Sequence, residues 1–181
     1  AVRGCRACTL CEGRQQAILG QGPVRADWLI VADPPDEQED REGALFLGPA
    51  GRLLDNMLSA LGLGREGGAD AAAPQVYLTS ALKCRAPRNR NPSAEELAHC
   101  AGHLQQQIAL LQPKVILSMG RFANWQLLGQ DQPLGPLRGK VNQAHGVPVV
   151  VTFHPQFLLR HQADKPRAWD DLCRAAAVVR S

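Results

Sequence analysis

Four short apolar runs punctuate the chain: Trp28-Leu-Ile-Val31, Val76-Tyr-Leu78, Lys114-Val-Ile-Leu-Ser-Met119 and Val147-Pro-Val-Val-Val-Thr-Phe153. Runs of this length, rich in β-branched residues and bounded by Gly, Pro or Asp, read as buried strands. Between them the spacing becomes helical. From Pro49-Ala-Gly51 onward, Leu53, Leu54, Met57, Leu58 and Leu61 share one face, with Gly62 or Gly64 as the stop. Ser93 and Glu96 have the spacing of a capping box, and Leu97, Cys100, Ala101, Leu104, Ile108 and Leu111 follow at helical intervals. A short helix is predicted after Gly120 through Trp125 and Leu128, and a last one with Trp169, Leu172, Cys173 and Ala176 on one face. Residues 64 to 74 carry little structure-forming signal and read as a surface loop.

Strands that alternate with helices and are apolar throughout predict an α/β fold, with a mostly parallel four-stranded central sheet between two helical layers. Sites in such folds form where strands end. After the first strand, Ala32-Asp-Pro-Pro-Asp36-Glu-Gln-Glu-Asp40 is too acidic and Pro-rich to continue a sheet, so it reads as a loop. Thr79, Ser80 and Lys83 follow the second strand, and His154 follows the fourth. Beyond Lys83, Arg85, Arg88 and Arg90 alternate with Pro and Asn in a stiff polar loop whose donors suit phosphate oxygens.

Cysteines bracket that loop. Cys84 and Cys100 stand at its two sides, and Cys5, Cys8 and Cys11 are each separated by two residues near the start of the chain. Two distant thiolate pairs point to one metal centre, either zinc or an iron–sulfur cluster. Residues 1–14 are therefore a metal-bearing lead-in to one domain spanning residues 1–181, whose 45% hydrophobic content is enough for a substantial core. No run approaches the roughly 18 to 20 apolar residues of a membrane span, and no signal-peptide hydrophobic region is evident. A chain this rich in core does not need a disulfide framework. The expectation is a soluble, monomeric protein of the reducing cytoplasm with no membrane partner. A net charge of +3 gives no global polyanion signal, so a nucleic-acid role rests on local clusters.

These pieces together resemble a family 4 uracil-DNA glycosylase, the iron–sulfur branch of the uracil glycosylase superfamily. That family carries a C-x-x-C lead-in, a G-E-x-P-G-x-x-E-D loop, P-F-V-G-x-A-G, T-N-x-x-K-C-R-P-P-x-N-R with a later cysteine, and H-P-x-x-L-L-R. The corresponding stretches here are Cys5-Arg-Ala-Cys8, Ala32 to Asp40, Leu45-Phe-Leu-Gly-Pro-Ala-Gly51, Thr79 to Arg90, Cys100 and His154-Pro-Gln-Phe-Leu-Leu-Arg160. The resemblance spans nearly the whole chain. It implies a uracil-DNA glycosylase-like fold and a 4Fe-4S cluster on Cys5, Cys8, Cys84 and Cys100, with Cys11 and Cys173 left over; zinc remains compatible with the spacing.

It also implies chemistry. A damaged base is flipped out of DNA, because its glycosidic bond is unreachable within the stack. Phe46 would receive the base and Asp33 would position or activate water. His154 would stabilise the anion left on the departing base. Glu39, Asp36 and Ser80 fall in the base pocket. Lys83, Arg85, Arg88, Arg90 and Arg160 would contact DNA, single-stranded or duplex, with Leu158 or Leu159 as a wedge into the duplex. The bland alternatives are a core Phe46, a satisfied structural His154 and ordinary helix-start leucines.

Three departures bear on the pocket. Asp33 replaces the family's Glu and shortens its reach. Ala32 and Asp36 replace both loop glycines, and Asp36 brings a carboxylate towards a base that becomes anionic. Ser80 stands where the family has Asn, and a hydroxyl cannot make the paired donor–acceptor contact of an amide. Two functions follow as expectations. One is a glycosylase of base excision repair that hydrolyses the N-glycosidic bond of uracil or a related base. The other is an inactive relative kept for binding replication or repair proteins, like the psi subunit of the DNA polymerase III clamp loader.

Overall fold

The computed structural model describes residues 2–65 and 76–181; most of the loop expected at residues 64 to 74 lies outside the described residues. A short helix α1 (Leu10–Gly13) precedes strand β1 (Trp28–Ala32), helix α2 (Glu37–Glu42) and helix α3 (Gly48–Ser59). Strand β2 (Val76–Ser80) leads through the basic loop to α4 (Ala94–Leu111), then β3 (Val115–Met119), α5 (Arg121–Leu128) and α6 (Leu134–Leu137). Strands β4 (Val141–Ala144) and β5 (Val147–Thr152) and helices α7 (Pro155–Arg160) and α8 (Lys165–Arg180) complete the chain.

The sheet order is β2-β1-β3-β5-β4. Strands β2, β1, β3 and β5 run parallel, and β4 pairs antiparallel with β5. The sheet thus has five strands where the apolar pattern predicts four. Val141-Asn-Gln-Ala144 is an edge strand with a partly exposed, polar pattern, so no hydrophobic run announces it. Its register comes from the connecting His145-Gly146, both at positive φ (50° and 78°), as a two-residue hairpin turn requires.

Alternation along β1 builds the layers. Trp28 and Ile30 face one core with Leu54, Leu58 and Leu172, so α3 and α8 cover that side. Leu29 and Val31 face the other with Leu104, Ile108 and Ala123, where α4 and α5 lie. The three-layer α/β/α arrangement is as the pattern predicts, and α4 begins on the expected capping box of Ser93 and Glu96.

Two local expectations are corrected. The acidic stretch after β1 is not all loop: Asp36 caps α2, its Oδ1 accepting from the Glu39 amide (2.9 Å) while Glu39 Oε2 accepts from the Asp36 amide (3.0 Å). Carboxylates that argue against a strand suit a helix N-terminus. Helix α8 is also rotated from the expected face. Ala168, Leu172, Ala175 and Ala176 are buried with Asp171, while Trp169 is 40% exposed and Cys173 is exposed. Small alanines let α8 lie close to the sheet, where an inward indole would hold it away. No helix among the described residues is long and apolar enough to cross a membrane.

Candidate active site

The carboxyl ends of β1 and β5 and the turn before α3 converge on a cavity of about 550 Å³. Asp33, Asp36, Glu39, Phe46, His154, Leu159 and Arg160 line it. A neighbouring cavity of about 610 Å³ shares Asp33, His154 and Phe157 with it.

Asp33 follows β1 and reaches across to α5, where its Oδ1 accepts from the amides of Phe122 (2.8 Å) and Ala123 (3.1 Å). These donors are the unpaired N–H groups of a helix start. The contact needs Gly120 at φ 123°, because a Cβ there would collide with the Asp33 carboxylate. Burial pushes the Asp33 carboxyl up to about 6, against the opposing pull of the α5 amides and Arg121. The carboxylate is thus fixed at one oxygen and ionised at neutral pH.

Phe46 sits at φ 55°, an uncommon backbone conformation for a bulky residue. Its amide donates to Glu39 Oε1 at 2.6 Å, and its carbonyl accepts from Arg65 at 3.2 Å. Gly51 completes the turn, since any Cβ at that position would overlap the Phe46 carbonyl oxygen. Glu39 therefore bonds both the Phe46 turn and the Asp36 amide, and burial raises its pKa. The neighbouring Asp40 is buried and accepts from the amides of Gln15 and Gln16, tying the lead-in to α2.

The Phe46 ring stacks on His154, with centroids 5.3 Å apart and planes 14° from parallel. His154 caps α7: its Nδ1 accepts from the Gln156 amide at 3.2 Å. That bond assigns the ring proton to Nε2. Burial lowers the imidazole pKa to about 4, with the nearby Asp36 charge opposing the shift, so the ring is a neutral donor at neutral pH. Asp33, Asp36, Glu39 and His154, from the strand-end stretches, and Phe46, named through the family resemblance, line one cavity.

Ser80 is not brought to that cavity. It is fully buried at the end of β2 and its hydroxyl donates to the Leu82 carbonyl at 2.6 Å. Lys83, expected against phosphate, is 1% exposed; its ammonium donates to Thr79 Oγ1 (2.5 Å) and the Ser80 carbonyl (2.8 Å). Burial lowers its pKa to about 7. An ammonium held by internal acceptors is not part of a phosphate-facing surface.

The arginines differ. Arg85 is half-buried and bonds Asn89 (2.9 Å) and Glu37 (3.2 Å), while Arg90 makes a fork to both oxygens of Glu96 at 2.9 and 2.6 Å. Arg88 is exposed at φ 55°, and no side chain among the described residues pairs with it. Leu158 is buried with Phe153 and Ala168, whereas Leu159 is 37% exposed and lines the cavity beside Arg160. Of the two wedge candidates, only Leu159 faces outward.

A separate small cavity of about 20 Å³ is lined by Cys5, Cys8, Cys11, Cys84 and Cys100. The lead-in reaches it through Arg14, whose guanidinium donates to Cys84 Sγ (2.8 Å) and the Cys5 carbonyl (3.0 Å). Burial pushes both the Cys84 and Cys100 thiols up. Among the described residues, no three His, Cys, Asp or Glu side chains converge closely enough to hold one metal ion. Arg14 and the aromatic Phe157 escaped the sequence reading. The first has no signal in its pattern; the second repeats every four residues with Phe153 and His161.

The family model of the uracil DNA glycosylase superfamily matches residues 19–173. The type-4 uracil-DNA glycosylase of Thermotoga maritima is 33% identical over 183 residues, covering 99% of this chain and 91% of that protein. The type-4 uracil-DNA glycosylase of Pyrobaculum aerophilum is 35% identical, covering 94% of this chain and 87% of its own length. A type-5 uracil-DNA glycosylase of the same organism is 33% identical over 147 residues, 74% of this chain and 63% of that protein.

Proposed function

Because the chain belongs to the uracil-DNA glycosylase superfamily, in its type-4 branch, we propose that it excises uracil from DNA by hydrolysing the N-glycosidic bond, as an enzyme of base excision repair. The observation that carries this reading is one strand-end cavity lined by a fixed carboxylate, an aromatic ring and a neutral imidazole: Asp33, Phe46 and His154.

In this reading the flipped base is received at the Phe46 turn; the Phe46 ring is 2% exposed and stacked on His154, so a base reaches its face only as the two rings part. Cleavage leaves positive charge on the sugar and negative charge on the base. Asp33, ionised above pH about 6, offers its Oδ2 to a water and its charge to the oxocarbenium-like sugar. The His154 Nε2–H stabilises the base anion. A neutral donor suits a weakly acidic leaving group and needs no proton uptake at neutral pH. Asp36 is tied to the start of α2, which spreads its charge into the helix dipole and blunts its repulsion of the departing base.

Arg88, Arg160 and Leu159 form the DNA-facing side, with Arg85 and Arg90 as loop supports. The donor set suits a 4Fe-4S cluster: Cys5, Cys8, Cys84 and Cys100 line one cavity and are its proposed ligands. Bound iron would hold as thiolates two groups whose charged form burial penalises. The cluster supplies a structural tie between lead-in and basic loop.

Single-turnover excision on a uracil-containing single strand and on a U·G duplex, with excess protein, tests the proposal. Release of uracil that is slowed at least about 10²-fold by Asp33→Asn and by His154→Ala supports these roles. No excision despite DNA binding would assign the fold to binding alone.

A further inference from the structure

Phe153 lies between β5 and α7, Phe157 lies within α7, and His161 is the residue that ends it. Their rings form a column. Phe153 and Phe157 lie 5.3 Å apart with planes 6° from parallel, and Phe157 and His161 lie 4.1 Å apart at 11°. At the foot, the Arg138 guanidinium sits 4.4 Å from the Phe153 centroid, itself fixed by Asp171 (2.7 Å) and the Arg167 carbonyl (2.8 Å). The column runs from inside to outside: Phe153 is 7% exposed, Phe157 39%, and His161 is exposed. The His161 ring is held by a contact of its Nδ1 with the Phe157 carbonyl at 3.2 Å.

A stack that rises out of the core and ends on an open, oriented ring adds little to the core. Its end lies on the wall of the cavity that holds Phe46 and His154, beside Arg160. We propose that the outer face of His161 is a stacking site for an unpaired base of single-stranded DNA, the neighbour of the nucleotide that enters the cavity. The assignment rests on the glycosylase reading and adds strandedness to it.

The physical case has three parts. Base–aromatic stacking tolerates any sequence, because every base has a π-face. A ring already held by a column and a hydrogen bond loses little freedom on binding. Arg160, next in the chain, supplies a cation for the adjoining phosphate. In intact duplex the neighbouring base is already paired and stacked, so the gain is confined to single strands.

Binding of a uracil-free, labelled single strand and of the matching duplex, with excision assayed separately, tests this on the intact protein. His161→Ala is expected to weaken single-strand binding about tenfold or more and duplex binding less than about twofold, and His161→Phe is expected to restore the single-strand value. Unchanged single-strand binding in His161→Ala, or an equal loss on both substrates, overturns the site. Failure of His161→Phe to restore binding also overturns it, since the contact would then be polar. Wild-type protein that binds neither DNA would instead sink the glycosylase reading beneath it.

Discussion

The cysteine cavity and the base cavity are built by opposite means. Around the cysteines, few direct bonds hold the lead-in to the body: Arg14 on Cys84, and, just past the lead-in, the Gln15 and Gln16 amides on Asp40 and the Ile18 amide on the Lys83 carbonyl at 2.8 Å. Its apolar cluster is small, centred on Leu10, Leu82 and Leu97. This region depends on what fills it. The base cavity instead stands on the buried carboxyl ends of β1 and β5 and carries unfavourable features that these strands hold in place. These are a Phe46 at φ 55°, a carboxyl raised to about 6 and an imidazole lowered to about 4. Removing a group should therefore weaken the first region and relax the second.

The largest expected effect is at the cysteines. Cys84→Ala should abolish bound iron and its visible absorbance, and should expose the lead-in to protease while the sheet stays folded. Iron analysis and limited proteolysis check this, and retained iron at full stoichiometry would remove Cys84 from the ligand set. In the base cavity the same kind of deletion should have a double signature. Asp33→Asn should slow excision at least about 10²-fold yet raise stability at neutral pH by on the order of 2 kcal/mol.

The sign follows from the shift. The folded pKa of Asp33 is raised from 3.8 to about 6, so the ionised form is disfavoured by folding. The penalty is absent below pH about 3.8, grows between the two values and is complete above about 6. Denaturation of wild type and Asp33→Asn at matched pH values should give curves that diverge across that window. Wild-type excision should rise through the same pH about 6, because Asp33 must be ionised, while His154 is already neutral above about 4.

Much of this was legible in the residues, for different reasons in the two regions. Cys5 and Cys8, three positions apart on one turn, stay together by spacing, and the fold of β2 and α4 brings Cys84 and Cys100 to the same cavity. Strand ends likewise collect Asp33 and His154. What the pattern could not show was the direction in which a short polar side chain turns. Ser80 and Lys83 follow the same strand, yet one bonds the Leu82 carbonyl and the other Thr79 and Ser80. Strand β4 was hidden because edge pairing is made by backbone groups that carry no hydropathy signal. The buried face of α8 includes a charged residue, Asp171, paired inside with Arg138 at 2.7 Å, which an apolar pattern cannot show.

Leu158 and Leu159 sharpen the contrast within a single helix turn. Leu158→Ala should cost about 2–5 kcal/mol of stability, as deletion of a buried leucine does, and should affect excision only through folding. Leu159→Ala should leave stability nearly unchanged and slow excision from duplex more than from single strands. Thermal melts beside paired excision assays distinguish them. A Leu159→Ala enzyme that is unimpaired on duplex would end the wedge assignment.

The smallest effect separates two arginines of one loop. Arg90 already spends its fork on Glu96, and that pair holds the first turn of α4, where Glu96 also accepts from the Ser93 amide at 2.8 Å. Arg88 lies two residues earlier and is exposed. If Arg88 meets phosphate, Arg88→Ala should weaken binding uniformly across sequences and lower the slope of log K against log salt by about 1. Arg90→Ala should leave that slope unchanged and slightly destabilise α4. Wild-type salt slopes in both variants would mean that the loop meets DNA through neither side chain, and the positive contacts would then lie at Arg160 and the His161 rim.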